Sequence, residues 1–433
     1  MSQYNSYKPS GVIWLGNMPD HWKVERLKDI SDVVLGKMLC NEDPGEYSLK
    51  PYLKSKNIGW NNLLLDQVEE MWFSNAELSR LRISSGDILM TEGGEVGKTS
   101  IWNNEIEECY IQNSVHKITF DKKNNSRFFL YQLNHIGLAD VFKNIVSQVS
   151  IGHLTKEKLV QVKVLTPPLS EQTAIADYLD SALNNLEIVI ETKQQQLEKL
   201  DLYKKATIHE AITKGLNKNV KRKPSGIEFI GDVPIHWKND KISRIVEFSA
   251  SGGTPTSTNE SYYGGDILWV QTGELNDCEI YDTEKKLSES GYKNSSSKIF
   301  PIDTLLIAMY GATIGKLGIL KVNASTNQAC CALFFNNKKW NIRFFFYHFL
   351  NIRDKLINSS YGGGQPNINQ DVIRQETLFV PPLNEQTSIV VFLDSFCTNL
   401  ANEKTIIEQQ IATLQQYRKS LIHDCVTGKR KVI

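Results

Sequence analysis

Pro-Pro-Leu-Ser-Glu-Gln-Thr at residues 167–173 returns as Pro-Pro-Leu-Asn-Glu-Gln-Thr at residues 381–387, 214 positions later. The same offset aligns the residues that follow without a gap, and 20 of the 47 positions from 167 to 213 are identical in the second copy. A match this long at a fixed offset indicates an internal repeat, which has to be identified before any shorter motif is interpreted. The chain therefore contains two related halves.

A second repeated block precedes each of these stretches. Residues 10–23 contain Ser-Gly, then Gly, Pro and His-Trp-Lys, and residues 225–238 contain the same pattern, 215 positions later. Between the blocks the match thins to a few positions, such as Gly97-Lys98 with Gly315-Lys316. Halves that keep a scaffold while their middles diverge favour two binding modules with two different targets.

Length and composition limit the classes of protein. A chain of 433 residues predicts two or three domains, and its 49 basic and 49 acidic residues create no positive field that would attract nucleic acid over the whole surface. Its 7 cysteines include no C-x-x-C pair, which predicts neither a disulfide framework nor a zinc site. The N-terminus lacks a signal-peptide pattern, and the apolar run 344–350 is too short to span a membrane. We therefore expect a cytoplasmic chain whose nucleic-acid sites, if any, are local.

Each Pro-Pro stretch predicts the start of a long helix. Ser170 and Asn384 are the expected N-caps, each followed by a glutamate that suits the helix dipole. Apolar residues then recur with the 3.5-residue spacing of a coiled coil. A helix of about 45 residues, about 65 Å long, cannot bury such a seam alone, so we expect the two helices to pack against each other. The seam residues of this coiled-coil spacer are Leu179, Leu183, Leu186, Ile190, Leu197, Leu200, Leu393, Leu400, Ile407, Ile411, Leu414 and Leu421.

Basic residues interrupt both seams, at Lys193, Lys204, Lys404 and Arg418. Either their aliphatic stems pack in the seam while their charged ends reach water, or they select the register of the helix pair. The sequence leaves both interpretations open.

The segments outside the long helices combine short apolar strands with glycine-rich turns, which predicts strand-rich globular domains of mixed α+β structure. The expected organisation is a globular domain at 1–166, a first spacer helix at 167–216, a second globular domain at 217–380, and a second spacer helix with a basic tail at 381–433.

One motif resembles catalytic machinery but fails on spacing. Residues 92–99 resemble a phosphate-binding loop, yet Gly93 is followed by only three residues before Gly97, and the corresponding segment 311–317 lacks the hydroxyl that would bind magnesium. No nucleophile elbow, zincin helix or amino-methylation signature is present. The absence of such motifs favours a binding protein without catalytic residues and without a metal site.

Taken together, the repeated blocks resemble the specificity subunit of type I restriction-modification systems. In that family two target-recognition domains are each followed by a long helix that starts near Pro-Pro-Leu-x-Glu-Gln, and the two helices pack antiparallel. The Gly-x-x-Pro-x-His-Trp block and the Gly-Gly-Thr-Pro stretch at 252–255 also look like the family's pattern. The first half departs from it, with Gly-Lys-Met-Leu at 36–39, so its domain is expected to belong to a different recognition subclass.

The resemblance implies a function and a set of partners. The chain would bind double-stranded DNA at a bipartite, asymmetric site, with the spacer setting the separation of the half-sites in units of DNA turns. It would bind two methylation subunits and, through them, restriction subunits, and so direct adenine methylation or cleavage while having no catalytic activity itself. S-adenosylmethionine, ATP and Mg would be used by the partner subunits, no cofactor would be bound by this chain, and no membrane would be involved.

The base-recognising side chains are expected in the loops of the two globular domains, where amides, hydroxyls and ammonium groups could face base edges and phosphates. The candidate DNA-binding residues are Lys54, Ser55, Lys56, Asn57, Lys98, Gln112, Asn113, Gln148, Thr254, Thr256, Gln271, Lys316, Asn327, Gln328, Gln365 and Asn367.

Two alternatives from other classes stay open at this point. The first is a protein-interaction scaffold that displays two modules on a coiled-coil rod without binding DNA. The second is an enzyme with an unrecognised active site, for which the loop at 93–99 is the candidate.

Overall fold

A computed structural model describes residues 3–12, 15–142, 153–358 and 367–432. The chain divides into two compact units, here called the first unit (Met1–Gln194 with Glu408–Ile433) and the second unit (Gln195–Ile407). Each unit contains one globular domain and a part of each long helix. In the described ranges, no helix is long and apolar enough to cross a membrane.

The globular domain of the first unit is built mainly from short strands. Its helices are α1 (Leu27–Ile30), α2 (Asn75–Leu81), α3 (Ser126–Leu138) and α4 (Lys156–Leu159). Its strands are β1 (Tyr7–Pro9), β2 (Asn17–Pro19), β3 (Lys23–Arg26), β4 (Ser31–Leu35), β5 (Ser48–Leu53), β6 (Glu69–Phe73), β7 (Ile88–Thr91), β8 (Thr99–Ile101), β9 (Tyr110–Ile111), β10 (Val115–Phe120) and β11 (Lys163–Thr166). The larger sheets have the orders β4-β10-β7-β8 and β6-β5-β9.

The second unit repeats this plan with additional strands. The first long helix, α5 (Leu169–Lys214), leads into it, and its own helices are α6 (Ile242–Ile245), α7 (Glu289–Lys293), α8 (Ile342–Asn358) and α9 (Gln370–Gln375), followed by the second long helix, α10 (Leu383–Val426). Its strands are β12 (Arg222–Pro224), β13 (Asp232–Pro234), β14 (Lys238–Lys241), β15 (Val246–Ser251), β16 (Tyr263–Val270), β17 (Cys278–Ile280), β18 (Lys286–Leu287), β19 (Ile299–Phe300), β20 (Thr304–Ala308), β21 (Leu317–Leu320), β22 (Ala324–Thr326), β23 (Cys330–Phe335) and β24 (Thr377–Val380). The larger sheets have the orders β15-β23-β20-β21-β17 and β18-β16-β22-β19. The predicted mixed α/β fold with two strand-rich domains and long helices is confirmed.

In each unit the core of the globular domain continues into the long helices. In the first unit, Trp22 and Phe128 belong to the same buried cluster as Leu179 of α5 and Leu421 of α10. In the second unit, Trp237 shares its cluster with Ile208 of α5 and Leu393 of α10. Because apolar burial is the main favourable contribution to folding, this shared core attaches each globular domain to its helical segments.

The repeated Pro-Pro-Leu-x-Glu-Gln stretch joins each long helix to its domain. The side chain of Gln172 donates to the Pro167 carbonyl at 2.8 Å and accepts from the Asn125 backbone NH at 2.8 Å. In the second unit, Gln386 makes the same two contacts, with Pro381 and Asn341, both at 2.9 Å. The predicted caps Ser170 and Asn384 lie inside the helices, which begin one residue earlier because the Pro168 and Pro382 carbonyls already accept from the first turn.

The long helices pair antiparallel within each unit. In the first unit, Arg418 donates to Glu187 at 2.9 Å and Lys193 donates to Gln410 at 2.6 Å, so later positions of α5 face earlier positions of α10. In the second unit, Lys404 donates to Asp201 at 2.8 Å. These basic seam residues therefore reach across to the facing helix, which is the arrangement expected if they select the register.

All of the named seam leucines and isoleucines are buried or half-buried. The most buried are Leu179 and Leu393, both at 0% exposure, while Leu197, Leu200 and Leu414 are half-buried.

Candidate nucleic-acid interface

In the first unit, polar residues follow two parallel strands where both strands end. Leu53 of β5 lies opposite Ile111 of β9, and the backbone NH of Gln112 donates to the Leu53 carbonyl at 2.9 Å. The segments that follow, 54–57 and 112–114, therefore lie side by side. Loops held by a rigid sheet are the usual position of binding residues.

A third segment, Gly36-Lys37, lies against this edge. The backbone NH of Lys37 donates to the Ile111 carbonyl at 3.2 Å, and the NH of Asn113 donates to the Lys37 carbonyl at 2.8 Å. A Cβ atom at Gly36 would lie 2.4 Å from the backbone of Gln112, so only glycine permits this approach.

The fourth segment is the hairpin 91–98, which contains the sequence that resembles a phosphate-binding loop. The NH of Thr91 donates to the Lys98 carbonyl at 3.0 Å, and the NH of Glu92 donates to the Ser114 carbonyl at 2.9 Å. The glycine-rich stretch is thus a tight connection between β7 and β8 beside residues 112–114. We call the four segments 36–37, 54–57, 91–98 and 112–114 the first interface.

The same backbone arrangement occurs in the second unit. Val270 of β16 lies opposite Thr326 of the parallel strand β22, and the NH of Asn327 donates to the Val270 carbonyl at 3.0 Å. A Cβ atom at Gly252 would lie 2.0 Å from the Thr326 carbonyl oxygen, and the NH of Gly253 donates to that oxygen at 2.9 Å. The hydrogen bonds thus repeat those around Gly36 and Lys37.

The hairpin is repeated as well. The NH of Ala308 donates to the Lys316 carbonyl at 2.9 Å, and the NH of Met309 donates to the Ala329 carbonyl at 2.8 Å. We call the segments 252–256, 271–274, 308–316 and 327–329 the second interface. Most of the predicted DNA-binding residues therefore converge in two equivalent places, one in each unit.

In the first interface the candidate lysines are paired with carboxylates. Lys54 and Lys56 both contact Glu69, at 2.6 and 3.0 Å. These two lysines, with the hydroxyl of Tyr52, lower the pKa of Glu69 to about 2. Two ammonium groups therefore share the single carboxylate of Glu69. Lys98 forms an ion pair with Glu95 in its own hairpin.

The amide residues of the first interface differ in availability. Asn57 is only 2% exposed, and its side-chain NH2 donates to the carbonyls of Leu64 and Gln67, so it holds the loop and does not face solvent. Ser55 contributes a backbone NH to Ser114. Half-buried Gln112 donates to half-buried Asn113 at 2.5 Å and accepts from the backbone NH of Ser114 at 3.1 Å, so this amide pair also holds the segment 112–114.

In the second interface, the hydroxyl of Thr254 is hydrogen-bonded to the amide oxygen of Gln328, and both residues are exposed. Thr256 is exposed two residues later. Asn327 is half-buried and accepts from the Ala329 NH at 3.2 Å, and Gln271 is half-buried at the end of β16.

Lys316 ends the hairpin of the second interface, and Asn367 lies beside that hairpin. The ammonium of Lys316 is 3.4 Å from Asp277, and Asn367 is exposed and forms an isolated bridge with Tyr310 of the hairpin. Gln148 and Gln365 lie outside the described residues.

Lys37 was missed as a candidate although it lies at the centre of the first interface. Its ammonium is 2.7 Å from Glu77 and 4.5 Å from the centre of the Tyr47 ring. Burial raises the pKa of Glu77, but the contacts with Lys37 and Ser74 outweigh it and lower the pKa. The sequence feature that could have indicated Lys37 is the preceding residue, Gly36, which is equivalent to Gly252 in the strand pairing of the second unit.

Most ion pairs of the two interfaces are partly exposed, and such pairs contribute about 0–1 kcal/mol to stability. Within the part of the chain that the structure describes, no group of three or more His, Cys, Asp or Glu residues is placed to hold a metal ion.

Comparisons with known proteins agree on one family. The family model for the type I restriction modification DNA specificity domain matches twice, at residues 19–199 and 234–411. The chain is 24% identical over 433 residues to a putative type I restriction enzyme MjaX specificity subunit from Methanocaldococcus jannaschii, covering 96% of each chain. It is 25% identical over 430 residues to the MjaVIII specificity subunit of the same organism, covering 96% of this chain and 94% of the relative.

A solved structure shares the fold. A chain from a structural study of complex assembly and conformational transition of the type I R-M system superposes with a TM-score of 0.72 at 14% identity, covering 94% of this chain and 98% of that chain.

Proposed function

The chain belongs to the type I restriction-modification DNA specificity family, and we propose that each of its two interfaces recognises one half of a bipartite, asymmetric duplex DNA site. One observation carries this proposal. The two units repeat the same backbone hydrogen bonds around Gly36 and Gly252, while the side chains presented there differ. A repeated scaffold with different side chains suits two different half-sites.

The side chains suggest two separate roles, contact with phosphates and recognition of bases. The lysines at 54, 56 and 98 are placed to contact phosphates, which position the protein without reading sequence. The amide pair of Gln112 and Asn113, and the pair of Thr254 and Gln328, offer the donors and acceptors that distinguish base pairs in the major groove.

We further propose that catalysis belongs to partner subunits. Two methylation subunits, with restriction subunits bound through them, would use S-adenosylmethionine, ATP and Mg, and this chain would direct them to adenines in its site. The carboxylates that join the long helices to the globular domains support this assignment, because their contacts are structural. Glu171 and Glu385 each bind an indole and an imidazole group. Asp180 and Asp394 each bind an arginine and a tyrosine.

The test is a single-molecule methylome of the host with and without the gene. Deletion is expected to remove one split adenine-methylation motif and leave all other methylation unchanged. An unchanged methylome in a host whose methylation subunit is expressed and co-purifies with the chain would contradict the proposal and favour an interaction scaffold.

A further inference from the structure

Two exposed apolar side chains directly follow the Gly36-Lys37 segment of the first interface. Met38 is 74% exposed and Leu39 is 52% exposed. Their backbone is held on both sides: Lys37 exchanges hydrogen bonds with Ile111 and Asn113, and the Cys40 carbonyl accepts from the Trp72 NH at 3.0 Å. A segment anchored in this way keeps the two side chains at the surface.

Their neighbours are the polar groups of the same interface. The Asn113 backbone is bonded directly to the residue before Met38, and the Asn113 side chain forms the amide pair with Gln112. An apolar pair beside half-buried amides and several lysines suits a surface that contacts both apolar and polar groups of one ligand.

The second interface shows what differs at the equivalent position. The NH of Lys37 donates to the Ile111 carbonyl, and the NH of Gly253 donates to the Thr326 carbonyl. Ile111 and Thr326 occupy equivalent positions in the two pairs of parallel strands. The residues that donate to them, Lys37 and Gly253, are therefore equivalent, and so are the residues that follow these donors. Met38 in the first unit therefore corresponds to Thr254 in the second.

This equivalence is chemically informative. Thr254 presents a hydroxyl that is bonded to Gln328, whereas Met38 and Leu39 present only methyl, methylene and thioether groups. Of the groups that the four base pairs expose in the major groove, the thymine 5-methyl is the apolar one. The other groups there are hydrogen-bond donors and acceptors, which an apolar side chain would leave unpaired.

We propose that Met38 and Leu39 contact the 5-methyl group of a thymine in the half-site recognised by the first unit. This inference rests on the proposed DNA-recognition function and adds a base identity to it. At the equivalent position the second unit presents the polar pair of Thr254 and Gln328.

The experiment uses the chain assembled with its methylation subunits. The preferred duplex is first selected from a randomised library, and each thymine of that duplex is then replaced singly by deoxyuridine, which lacks only the 5-methyl. Burial of one methyl group predicts about a fourfold loss of affinity at one thymine in one half-site, measured by fluorescence anisotropy.

The double variant Met38→Ala with Leu39→Ala is expected to bind the thymine and deoxyuridine duplexes with equal affinity. Ile302→Ala is the control, because it removes an apolar side chain of similar exposure, 49%, from the other unit. The control should keep the fourfold difference. Thermal unfolding checks that all variants fold.

The outcomes separate this inference from the function on which it rests. If the complex selects no preferred duplex, the DNA-recognition function itself fails. If it selects one but no thymine position responds to deoxyuridine, or the response persists in the double variant, the thymine contact is overturned and the function stands.

Discussion

The indole nitrogen of Trp22 donates a hydrogen bond to the carboxylate of Glu171 at 3.0 Å. In the second unit, Trp237 donates to Glu385 at 3.2 Å. In each unit this glutamate also bonds the histidine that precedes the tryptophan, which is His21 in the first unit. The His-Trp block and the Pro-Pro-Leu-x-Glu-Gln stretch are thus two sides of one contact, which explains why both are repeated in the chain.

Loss of this carboxylate should destabilise the first unit. In Glu171→Ala the fully buried indole NH of Trp22 has no acceptor, and an unsatisfied buried donor costs about 1–3 kcal/mol. Urea unfolding of the chain in its complex should show this decrease. Glu191→Ala, an exposed change on the same helix, should leave the unfolding midpoint within error, and equal midpoints for both variants would refute the structural role.

A second prediction concerns the attachment of the second globular domain to α10. Asp394 accepts from Arg343 at 2.6 Å and from the Tyr347 hydroxyl at 2.6 Å. Asp394→Ala removes both bonds, and we expect a loss of about 1–3 kcal/mol in unfolding free energy together with faster proteolysis of the second unit. The control is Asp354→Ala, whose ion pair with Lys205 is exposed; equal proteolysis of the two variants would contradict the prediction.

Acid should destabilise the first unit through His135. Burial, with the nearby charges of His423 and Lys429, lowers the pKa of His135 to about 4. The unfolded chain then binds a proton near pH 6.5 that the folded chain does not bind, so stability falls as pH decreases from about 6.5 toward 4.

His135→Asn should reduce this loss by roughly 1–2 kcal/mol between pH 7 and pH 5. The second unit already has an asparagine at this place. There Asn351 is hydrogen-bonded to His209 at 3.2 Å, just as His135 is hydrogen-bonded to His423 in the first unit. Thermal unfolding at the two pH values measures the effect. An identical decrease in the melting temperature of wild type and variant would exclude His135 as a source of the acid sensitivity.

A fourth prediction concerns phosphate contact by Lys98. Lys98→Gln should weaken binding of the complex to all duplexes alike and reduce the slope of log K against log salt by about 0.9. Glu95→Gln is the matched variant, since it releases the ammonium of Lys98 and should strengthen binding. A salt slope that is unchanged in Lys98→Gln would reject the phosphate contact.

The fold follows from the sequence where its signals are local or repeated. The 3.5-residue spacing predicts the two long helices, and the structure describes them as Leu169–Lys214 and Leu383–Val426. The interfaces follow less directly, because their shape depends on the pairing of β5 with β9 and of β16 with β22 across long loops. Lys37 was missed for this reason. Asn57 was chosen by residue type, which does not reveal that the side chain is buried against its own loop.

The central claim, that each unit recognises its own half-site, is tested most directly by methylomes of hosts that carry unit-specific variants. Gln112→Ala with Asn113→Ala alters the amide pair of the first interface, and Thr254→Ala with Gln328→Ala alters the polar pair of the second. Each variant is expected to relax one half of the split methylation motif, a different half for each, while the other half stays unchanged. If either variant relaxed both halves, or both variants relaxed the same half, the assignment of one half-site to each unit would be contradicted.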